Sequence, residues 1–140
     1  MAAKRTLNIT FAADFALVDQ ARSAVLELCR EAFPQDDEAV SDLCMAANEA
    51  MNNAVEHSGS PQMEVELQID DKSMTFRMSI GGDRFDPTGS AVMPEPDALG
   101  ELPEGGYGLA LIREFIDCIA YEYRDGKNML TLVKNVKKGV

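Results

Sequence analysis

The segment "EAMNNAVEH", residues 49–57, forms the last part of a predicted helix that begins near Asp37. It places Glu49, Asn53 and His57 at successive intervals of four residues, so the three side chains form a polar row along one helix face. The apolar residues of the same helix share one stripe: Val40, Leu43, Cys44, Ala47, Met51, Ala54 and Val55. At about 100° per residue the row lies opposite the centre of that stripe, so the stripe is predicted to face the core and the row to face away from it.

The residue types in the polar row suit a magnesium site with a general base. Mg²⁺ prefers oxygen ligands, and a base must lie within hydrogen-bond reach of the group that it deprotonates. On this hypothesis Glu49 is the base and Asn53 is the Mg²⁺ ligand, with the small residues Ala46 and Ala50 leaving room for a ligand. His57 is predicted to end the helix, where its positive form complements the helix dipole. The alternative is that the row is only the solvated side of an amphipathic helix.

One strand and one helix are predicted before this helix. The run "TLNITF", residues 6–11, alternates apolar and polar residues with the period of a strand that buries one face. Asp14 is a predicted N-cap for the helix that follows, whose apolar residues recur at helical spacing until "FPQDD", residues 33–37, stops it.

Two hairpins and a further helix are predicted after it. The runs "MEVELQI" (63–69) and "MTFRMSI" (74–80) alternate around a turn at residues 70–72. Residues 87–104 show no periodicity and form a lid candidate. The run "YGLALIREFIDCIA" (107–120) is predicted to be a helix that buries Leu109, Ile112, Phe115 and Ile116. A second hairpin follows, with strands "AYEYR" and "MLTLVKNV" and the turn "DGKN" at residues 125–128.

This order of elements predicts an α+β two-layer sandwich, with a mixed β-sheet and the helices on one of its faces. A chain of 140 residues with 46% apolar content suffices for one hydrophobic core and is too short for two. We therefore expect residues 1–140 to form a single domain, with a lid loop at about residues 87–104.

Two glycine-rich segments are candidate ligand loops. The run "GGYG", residues 105–108, stands just before a predicted helix, where free N–H groups suit phosphate oxygens. Its glycines are also suited to act as a hinge for the lid. The run "GGDRFDPTG", residues 81–89, is the weaker signal, because the same residues describe an ordinary exit from a strand.

Charge and cysteine content restrict the partners of the chain. The 13 basic and 24 acidic residues give a formal charge of −11, which repels nucleic acid and anionic lipid. No run of apolar residues approaches the roughly 20 that a membrane-spanning helix needs. The three cysteines, Cys29, Cys44 and Cys118, lack zinc-site spacing and are predicted to be buried thiols. We expect a cytoplasmic protein that binds neither nucleic acid nor membrane.

Taken together, the segments "NEAMNNAVEHSG", "RFDP" and "GGYGLALIREFIDCIAYE" resemble the N box and the two glycine boxes of the GHKL, or Bergerat-fold, ATPases. The resemblance is closest to the RsbW-type anti-sigma factors, which are also serine-protein kinases, and it covers nearly the whole chain. It implies ATP and Mg²⁺ as cofactors, Glu49 as general base and Asn53 as Mg²⁺ ligand. It also implies nucleotide contacts from four glycines, Gly82, Gly105, Gly106 and Gly108, and Asp83 is a further candidate contact. Arg22 resembles a family position that touches protein partners.

The sequence departs from the family pattern at two places. Ile80 stands where the family has an aspartate that accepts a hydrogen bond from the adenine amino group, and Asp83 would replace that carboxylate only in a differently folded loop. The lid candidate carries acids and no Lys or Arg: Glu95, Asp97, Glu101 and Glu104. Acids close to a triphosphate cost about 1 to 4 kcal/mol per pair at surface-like dielectric. Both departures point toward weaker nucleotide binding.

Two functions therefore stay open. The first is an ATP- and Mg²⁺-dependent serine-protein kinase that sequesters a sigma factor and phosphorylates an anti-anti-sigma (STAS-domain) partner. The second is a partner-switching module on the same fold that binds ATP weakly or not at all. A detached catalytic domain of a histidine kinase and a generic α+β domain remain as lesser alternatives. The resemblance also implies a possible homodimer, for which Met45 and Met51 are candidate surface residues.

Overall fold

The structure is a computed structural model, and it describes residues 5–57, 59–84 and 114–137. The elements in these ranges are β1 (Arg5–Ala12), α1 (Phe15–Ala32), α2 (Asp37–His57), β2 (Gln62–Ile69), β3 (Ser73–Gly81), β4 (Cys118–Arg124) and β5 (Lys127–Asn135). The lid candidate at residues 87–104 and the glycine segment at residues 105–108 lie outside the described residues.

The five strands form one sheet in the order β1-β2-β3-β5-β4. Every described pair of neighbouring strands is antiparallel. The prediction of a mixed sheet was therefore wrong. The reason lies in α1 and α2, which pack on each other as a helical hairpin. Such a hairpin returns the chain to the end of the sheet at which β1 finished, so β2 runs back along β1 in the opposite direction.

The hydrophobic core lies between the two helices and one face of the sheet. The helix α1 packs on β1 and β2, whereas α2 packs on β3 and β5. Alternate strand residues such as Leu67, Phe76 and Leu132 are almost fully buried against the helices. Their neighbours along the strands, for example Glu66 and Arg77, lie on the opposite face and form an ion pair there at 3.1 Å. The α+β sandwich with helices on one face of the sheet is therefore confirmed.

Both helices begin at an aspartate that accepts backbone hydrogen bonds. Asp14 caps α1 as predicted, since its Oδ1 accepts the N–H groups of Ala16 at 2.7 Å and Leu17 at 3.3 Å. Asp36 performs the same function for α2 by accepting the N–H of Ala39 at 3.2 Å. Its other oxygen accepts the N–H of Lys137 at 2.8 Å, which joins the start of α2 to the segment after β5.

The region between the predicted third helix and the last hairpin differs from the sequence-based expectation. Cys118 begins β4, although residues 118–120 were assigned to the helix. Phe115, expected to be buried, is 38% exposed, whereas Ile116 is buried as predicted. Sheet pairing starts immediately afterwards, because the N–H of Asp117 already donates to the carbonyl of Val133 at 3.0 Å. Tertiary pairing with β5 therefore overrides the helical pattern of this stretch.

The turn of the last hairpin is shorter than predicted. It consists of Asp125 and Gly126, both with positive φ (54° and 76°), as a two-residue turn of the primed type requires. β5 accordingly starts at Lys127, and Asn128 lies within a strand instead of a turn. Within the described ranges, no helix is long and apolar enough to cross a membrane.

Candidate functional site

The polar row lies on α2 as predicted. Glu49 and Asn53 are half-buried, and they flank the buried arc of the helix formed by Val40, Leu43, Ala47 and Met51 among others. Ala46 and Ala50 are fully buried, so they pack in the interior and do not form an open surface beside the row. Glu49 and Asn53 are thus partly withdrawn from water and lie beside the buried arc, not opposite it, whereas His57 is exposed.

His57 is the last residue of α2, as predicted from its position before "SG". Its side chain is exposed, and its Nε2 lies 3.6 Å from an oxygen of Glu56. A histidine at a helix C-terminus is placed to interact with the last carbonyl groups. The predicted position of His57 at the end of the helix is therefore confirmed.

The end of α2 and the end of β3 meet at the same end of the sheet. Only residues 58–61 connect α2 to β2, and the register pairs Met63, near the start of β2, with Ile80, near the end of β3. A Cβ atom added to Gly81 would lie 3.6 Å from the Oγ of Ser60 and 3.7 Å from the carbonyl of Gly126. The α2–β2 connection, the exit from β3 and the β4–β5 turn therefore come together at one place.

Side chains of β4 and β5 hold the exit from β3. The Tyr123 hydroxyl donates to the carbonyl of Gly82 at 2.9 Å, and the Asn128 amide donates to the carbonyl of Asp83 at 3.0 Å. The Tyr121 hydroxyl in turn donates to Oδ1 of Asn128 at 2.5 Å. Gly82 itself has φ of +107°, a conformation that favours glycine. Two of the predicted site residues are thus fixed by a network of three side chains.

Sequence reasoning missed this network. The available signal was the strand period, which places Tyr121, Tyr123 and Asn128 on the inward face of their strands. Asn128 is only 2% exposed, and a buried amide requires hydrogen-bond partners. The assignment of Asn128 to a turn concealed that requirement.

Ile80 occupies a buried place at this same end of the sheet. It is 1% exposed and lies opposite Asn128 of β5 and Met63 of β2. Asp83, which was the candidate replacement for a carboxylate at position 80, is exposed. The described residues therefore provide no carboxylate on the buried side of the β3 exit, where the resemblance implies one.

Arg22 lies on α1, apart from the polar row of α2. Its guanidinium donates to the carboxylate of Asp19, one turn earlier on the helix, at 3.0 Å. The side chain is 38% exposed, so it is available to a protein that contacts α1. The other predicted phosphate-loop residues, Gly105, Gly106 and Gly108, lie outside the described residues.

The side chains of α2 can bind Mg²⁺ together with a nucleotide, but they offer too few ligands to hold the ion by themselves. Glu49 and Asn53 supply a carboxylate and an amide oxygen one helical turn apart, both of which are suitable for hard cations. In the described part of the chain, no group of three or more His, Cys, Asp or Glu side chains could hold a metal ion. A Mg²⁺ ion at Asn53 would therefore take most of its ligands from phosphate oxygens and water, as is usual for this ion.

Comparison with known proteins identifies the family. Residues 11–134 match the histidine kinase-like ATPase domain family. The serine/threonine-protein kinase BtrW of Bordetella bronchiseptica is 32% identical over 97 residues, which cover 66% of this chain and 68% of that kinase. The serine-protein kinase RsbW of Listeria innocua is 31% identical over 101 residues, which cover 66% of this chain and 64% of RsbW.

Solved structures share the fold. The crystal structure of the RsbU and RsbW domains of Rv1364c from Mycobacterium tuberculosis superposes with a TM-score of 0.64 at 17% identity, covering 96% of this chain and 34% of that one. The histidine kinase AdeS of Acinetobacter baumannii gives a TM-score of 0.52 at 15% identity, covering 94% of this chain and 68% of that one. The chain belongs to the histidine kinase-like ATPase domain family, in its RsbW-type branch.

Proposed function

We propose that this chain is an anti-sigma regulatory factor that acts as an ATP- and Mg²⁺-dependent serine-protein kinase in a partner-switching system. The observation that carries the proposal is the half-buried pair of Glu49 and Asn53 on α2, the helix that leads through Ser60 to Gly81 at the exit from β3. The relatives named as serine-protein kinases support the same assignment.

Each site residue has a defined role in this proposal. Bound ATP with Mg²⁺ would supply the γ-phosphoryl group that is transferred to a serine hydroxyl. Glu49 would accept the proton of that hydroxyl, and Asn53 would hold the metal through its amide oxygen. Gly82 and Asp83 would contribute backbone atoms at the end of the site that holds the adenine ring. Gly105, Gly106 and Gly108 would hold phosphate oxygens through their N–H groups.

The proposed partners are those of the family resemblance. A STAS-domain anti-anti-sigma protein would be the phosphorylated substrate, and a sigma factor would be the sequestered protein, so the chain would act in the cytoplasm. Arg22 is proposed to contact a partner from α1. A homodimer is also proposed, and of its two candidate methionines only Met45, 43% exposed, reaches the surface, because Met51 is fully buried.

Calorimetric titration with ATP and Mg²⁺ tests the nucleotide site. We expect binding by the wild type to be lost in Asn53→Ala and kept in the matched control Asn52→Ala, since Asn52 is also half-buried but lies on another side of α2. The catalytic role is tested by transfer of labelled phosphate to a cognate STAS-domain protein. Glu49→Gln should abolish transfer and Glu56→Gln should not, so full transfer by Glu49→Gln would exclude Glu49 as the base.

A second candidate function is supported by a specific observation. The buried Ile80 stands where the family has a carboxylate for the adenine ring, so that carboxylate is missing. Its absence favours a partner-switching module that binds nucleotide weakly or not at all. If no ATP binding is detected up to millimolar concentration while the chain still binds its sigma factor or STAS partner, this second function is the correct one. Phosphotransfer by the wild type would exclude it.

A further inference from the structure

The strand β1 is an edge of the sheet, and its outer side has no partner among the described residues. It pairs with β2 alone over all eight of its residues, in one unbroken register. The N–H of Ala13 continues that register by donating to the carbonyl of Pro61 at 2.9 Å. Because bonded and non-bonded pairs alternate in an antiparallel ladder, the odd-numbered residues of β1 bond to β2. The N–H and C=O groups of the even-numbered residues therefore point outward from the edge: Thr6, Asn8, Thr10 and Ala12.

The helix-facing side of this edge is only partly covered. Leu7, Ile9 and Phe11 lie on that side and are partly buried. Their neighbours on β2 are almost fully buried: Leu67, Val65 and Met63. A groove of about 220 Å³ runs between β1 and α1, and it is lined by Ile9, Phe11, Leu17, Gln20 and Ala21. Apolar surface is thus left open beside the outward-pointing backbone groups.

The edge also lacks the features that normally prevent strand pairing. Exposed edge strands are commonly protected by charged side chains, by proline or by a bulge. Residues 6–12 contain no charged residue and no proline, although 26% of the whole chain is charged. Two copies can therefore meet at this strand without bringing carboxylates together, despite the formal charge of −11 on each.

We propose that β1 pairs with β1 of a second copy, antiparallel and around a two-fold axis at Ile9, so that two five-stranded sheets join into one. In this register Thr6 of one copy lies opposite Ala12 of the other, and Asn8 lies opposite Thr10. Each of these pairs exchanges two hydrogen bonds, so every outward-pointing N–H of the edge finds an acceptor. The inference rests on the homodimer in the proposed function and assigns it a surface outside the nucleotide site.

The side chains favour the register centred at Ile9. Opposite residues of antiparallel strands share a face, and the side chains of non-hydrogen-bonded pairs are the closer ones. Leu7 of one copy would contact Phe11 of the other, and the two Ile9 side chains would meet at the axis. These contacts cover the apolar residues that α1 leaves partly open.

The ends of this interface are complementary in charge. The register places Arg5 of one copy opposite Ala13 of the other and beside Asp14, which is exposed. Within its own chain Arg5 has only a 3.9 Å ion pair with Glu31, and both side chains are largely exposed. The two-fold axis repeats the contact between Arg5 and Asp14 at the other end of the strand pair.

The opposite edge strand, β4, is a poorer partner for β1. It carries the exposed charges Glu122 and Arg124, which pair with each other. Pairing of β1 with β4 would also join two different surfaces, and such a contact propagates from copy to copy unless a ring closes. A contact between two β1 strands uses the same surface twice and closes as a dimer.

Sedimentation velocity of the full chain over a range of concentrations tests the use of the edge. Thr10→Pro removes an N–H that only the dimer uses, and proline is tolerated in an edge strand at such a position. The matched control Thr10→Ala removes the same side chain and keeps the N–H. We expect Thr10→Pro to raise the dimer dissociation constant about tenfold or more, since two hydrogen bonds are lost per dimer, and Thr10→Ala to change it by less than about threefold.

Disulfide cross-linking tests the register, and it stays informative if Thr10→Pro does not fold. The background is Cys118→Ser, because Cys118 is exposed and not buried as the sequence predicted. Ile9→Cys should cross-link two copies under mild oxidation, since facing residues of a non-hydrogen-bonded pair are about 4.5 Å apart between Cα atoms. Leu7→Cys should not cross-link with itself, but it should cross-link with Phe11→Cys when the two variants are mixed.

The possible failures are distinguishable. A wild type that stays monomeric up to millimolar concentration would overturn this proposal together with the homodimer. If that monomer binds a STAS-domain protein and Thr10→Pro does not, the edge instead takes a strand of that protein. A dimer that Ile9→Cys does not cross-link, or that is lost in Met45→Ser and kept in Thr10→Pro, would overturn only the surface. ATP binding and phosphotransfer are separate assays, so failure of the kinase proposal leaves this test unaffected.

Discussion

Asn128 is buried, and each end of its amide has a hydrogen-bond partner. The Nδ2 group donates to the carbonyls of Asp83 at 3.0 Å and Ile80 at 3.5 Å, and Oδ1 accepts the hydroxyl of Tyr121. Removal of one partner from a buried hydrogen bond leaves the others unsatisfied, which costs about 1 to 3 kcal/mol. Asn128→Ala should therefore lower the free energy of unfolding by an amount in that range.

Tyr123→Phe is the matched control for this residue. It removes a hydrogen bond to the neighbouring carbonyl of Gly82, but Tyr123 is 39% exposed and water can replace the lost hydroxyl. Urea denaturation of the two variants measures the difference. An equal loss in the free energy of unfolding for Asn128→Ala and Tyr123→Phe would mean that burial of the Asn128 amide does not add to the strength of its hydrogen bonds.

Ile80 leads to a prediction about base selectivity, if the chain binds nucleotide as proposed. Strong discrimination between similar ligands arises when the wrong one leaves buried polar groups unpaired. An aliphatic side chain has no such group, and the amide of Asn128 beside it already bonds to the backbone of the loop. We expect ATP and GTP to bind with dissociation constants within about tenfold of each other, since apolar contacts discriminate weakly.

Competition calorimetry with the two nucleotides measures this selectivity in the wild-type protein, and Ile80→Asp should shift it toward ATP. A preference for ATP of a hundredfold or more in the wild type would show that another group reads the base. Failure of both nucleotides to bind would instead refute the proposed nucleotide site as a whole.

At the scale of elements, the regular segments follow from local sequence and the irregular ones do not. The two alternating runs before and after residues 70–72 become β2 and β3, because the period of two fixes which face is buried. Asp14 is found at the start of α1 because a side-chain acceptor at that position satisfies free N–H groups. By contrast, the start of β4 depends on how far its ladder with β5 extends, since Cys118 pairs with Val133, and no local period marks that limit.

The candidate site was predictable to a similar extent. Glu49 and Asn53 share a helix, so their common face follows from helical geometry alone. The contact of Gly82 with Tyr123, 41 residues later, depends on how three strands align. Sequence can identify such residues as inward-facing, but only the register shows what they touch.

Asp36 connects two elements and gives the protein a pH-dependent contact. Its hydrogen bond from the backbone of Lys137, followed by that from Ala39 and the charges of Lys137 and Lys134, lowers the pKa of the carboxyl below its ordinary value despite burial. A group with a lowered folded-state pKa contributes stability above its unfolded pKa of about 3.9, and the contribution is lost as pH falls through the folded value.

Asp36→Asn should accordingly cost about 1.5 to 3 kcal/mol at pH 7, the range for hydrogen bonds to charged groups. The difference from the wild type should shrink as pH falls below about 4. Urea denaturation at pH 7 and pH 3 measures both values, with Asp37→Asn, an exposed carboxylate in the first turn of α2, as the control. A cost that stays constant between the two pH values would mean that the charge of Asp36 is not what stabilises this junction.

At the scale of the whole molecule, charge opposes the compact state. The chain carries 24 acidic and 13 basic residues, a formal charge of −11. The described ion pairs, such as Arg5–Glu31 at 3.9 Å and Arg124–Glu122 at 2.6 Å, lie mostly at the surface, where such pairs stabilise little. Repulsion among the unpaired acidic side chains therefore destabilises the folded domain more than the ion pairs stabilise it.

Salt should relieve this repulsion, because the Debye length falls from about 30 Å at 0.01 M to about 8 Å at 0.15 M. We expect the thermal unfolding midpoint at pH 7 to rise over that range by about 3 to 6 °C, corresponding to a gain of about 1 kcal/mol for a domain of this size. Differential scanning calorimetry in sodium chloride measures the shift, and the same ionic strengths near pH 4.4, the sequence pI, provide the control with little net charge. If the midpoint falls with salt at pH 7, the surface ion pairs outweigh the net repulsion. The excess acids would then be spread too widely over the surface to destabilise the fold.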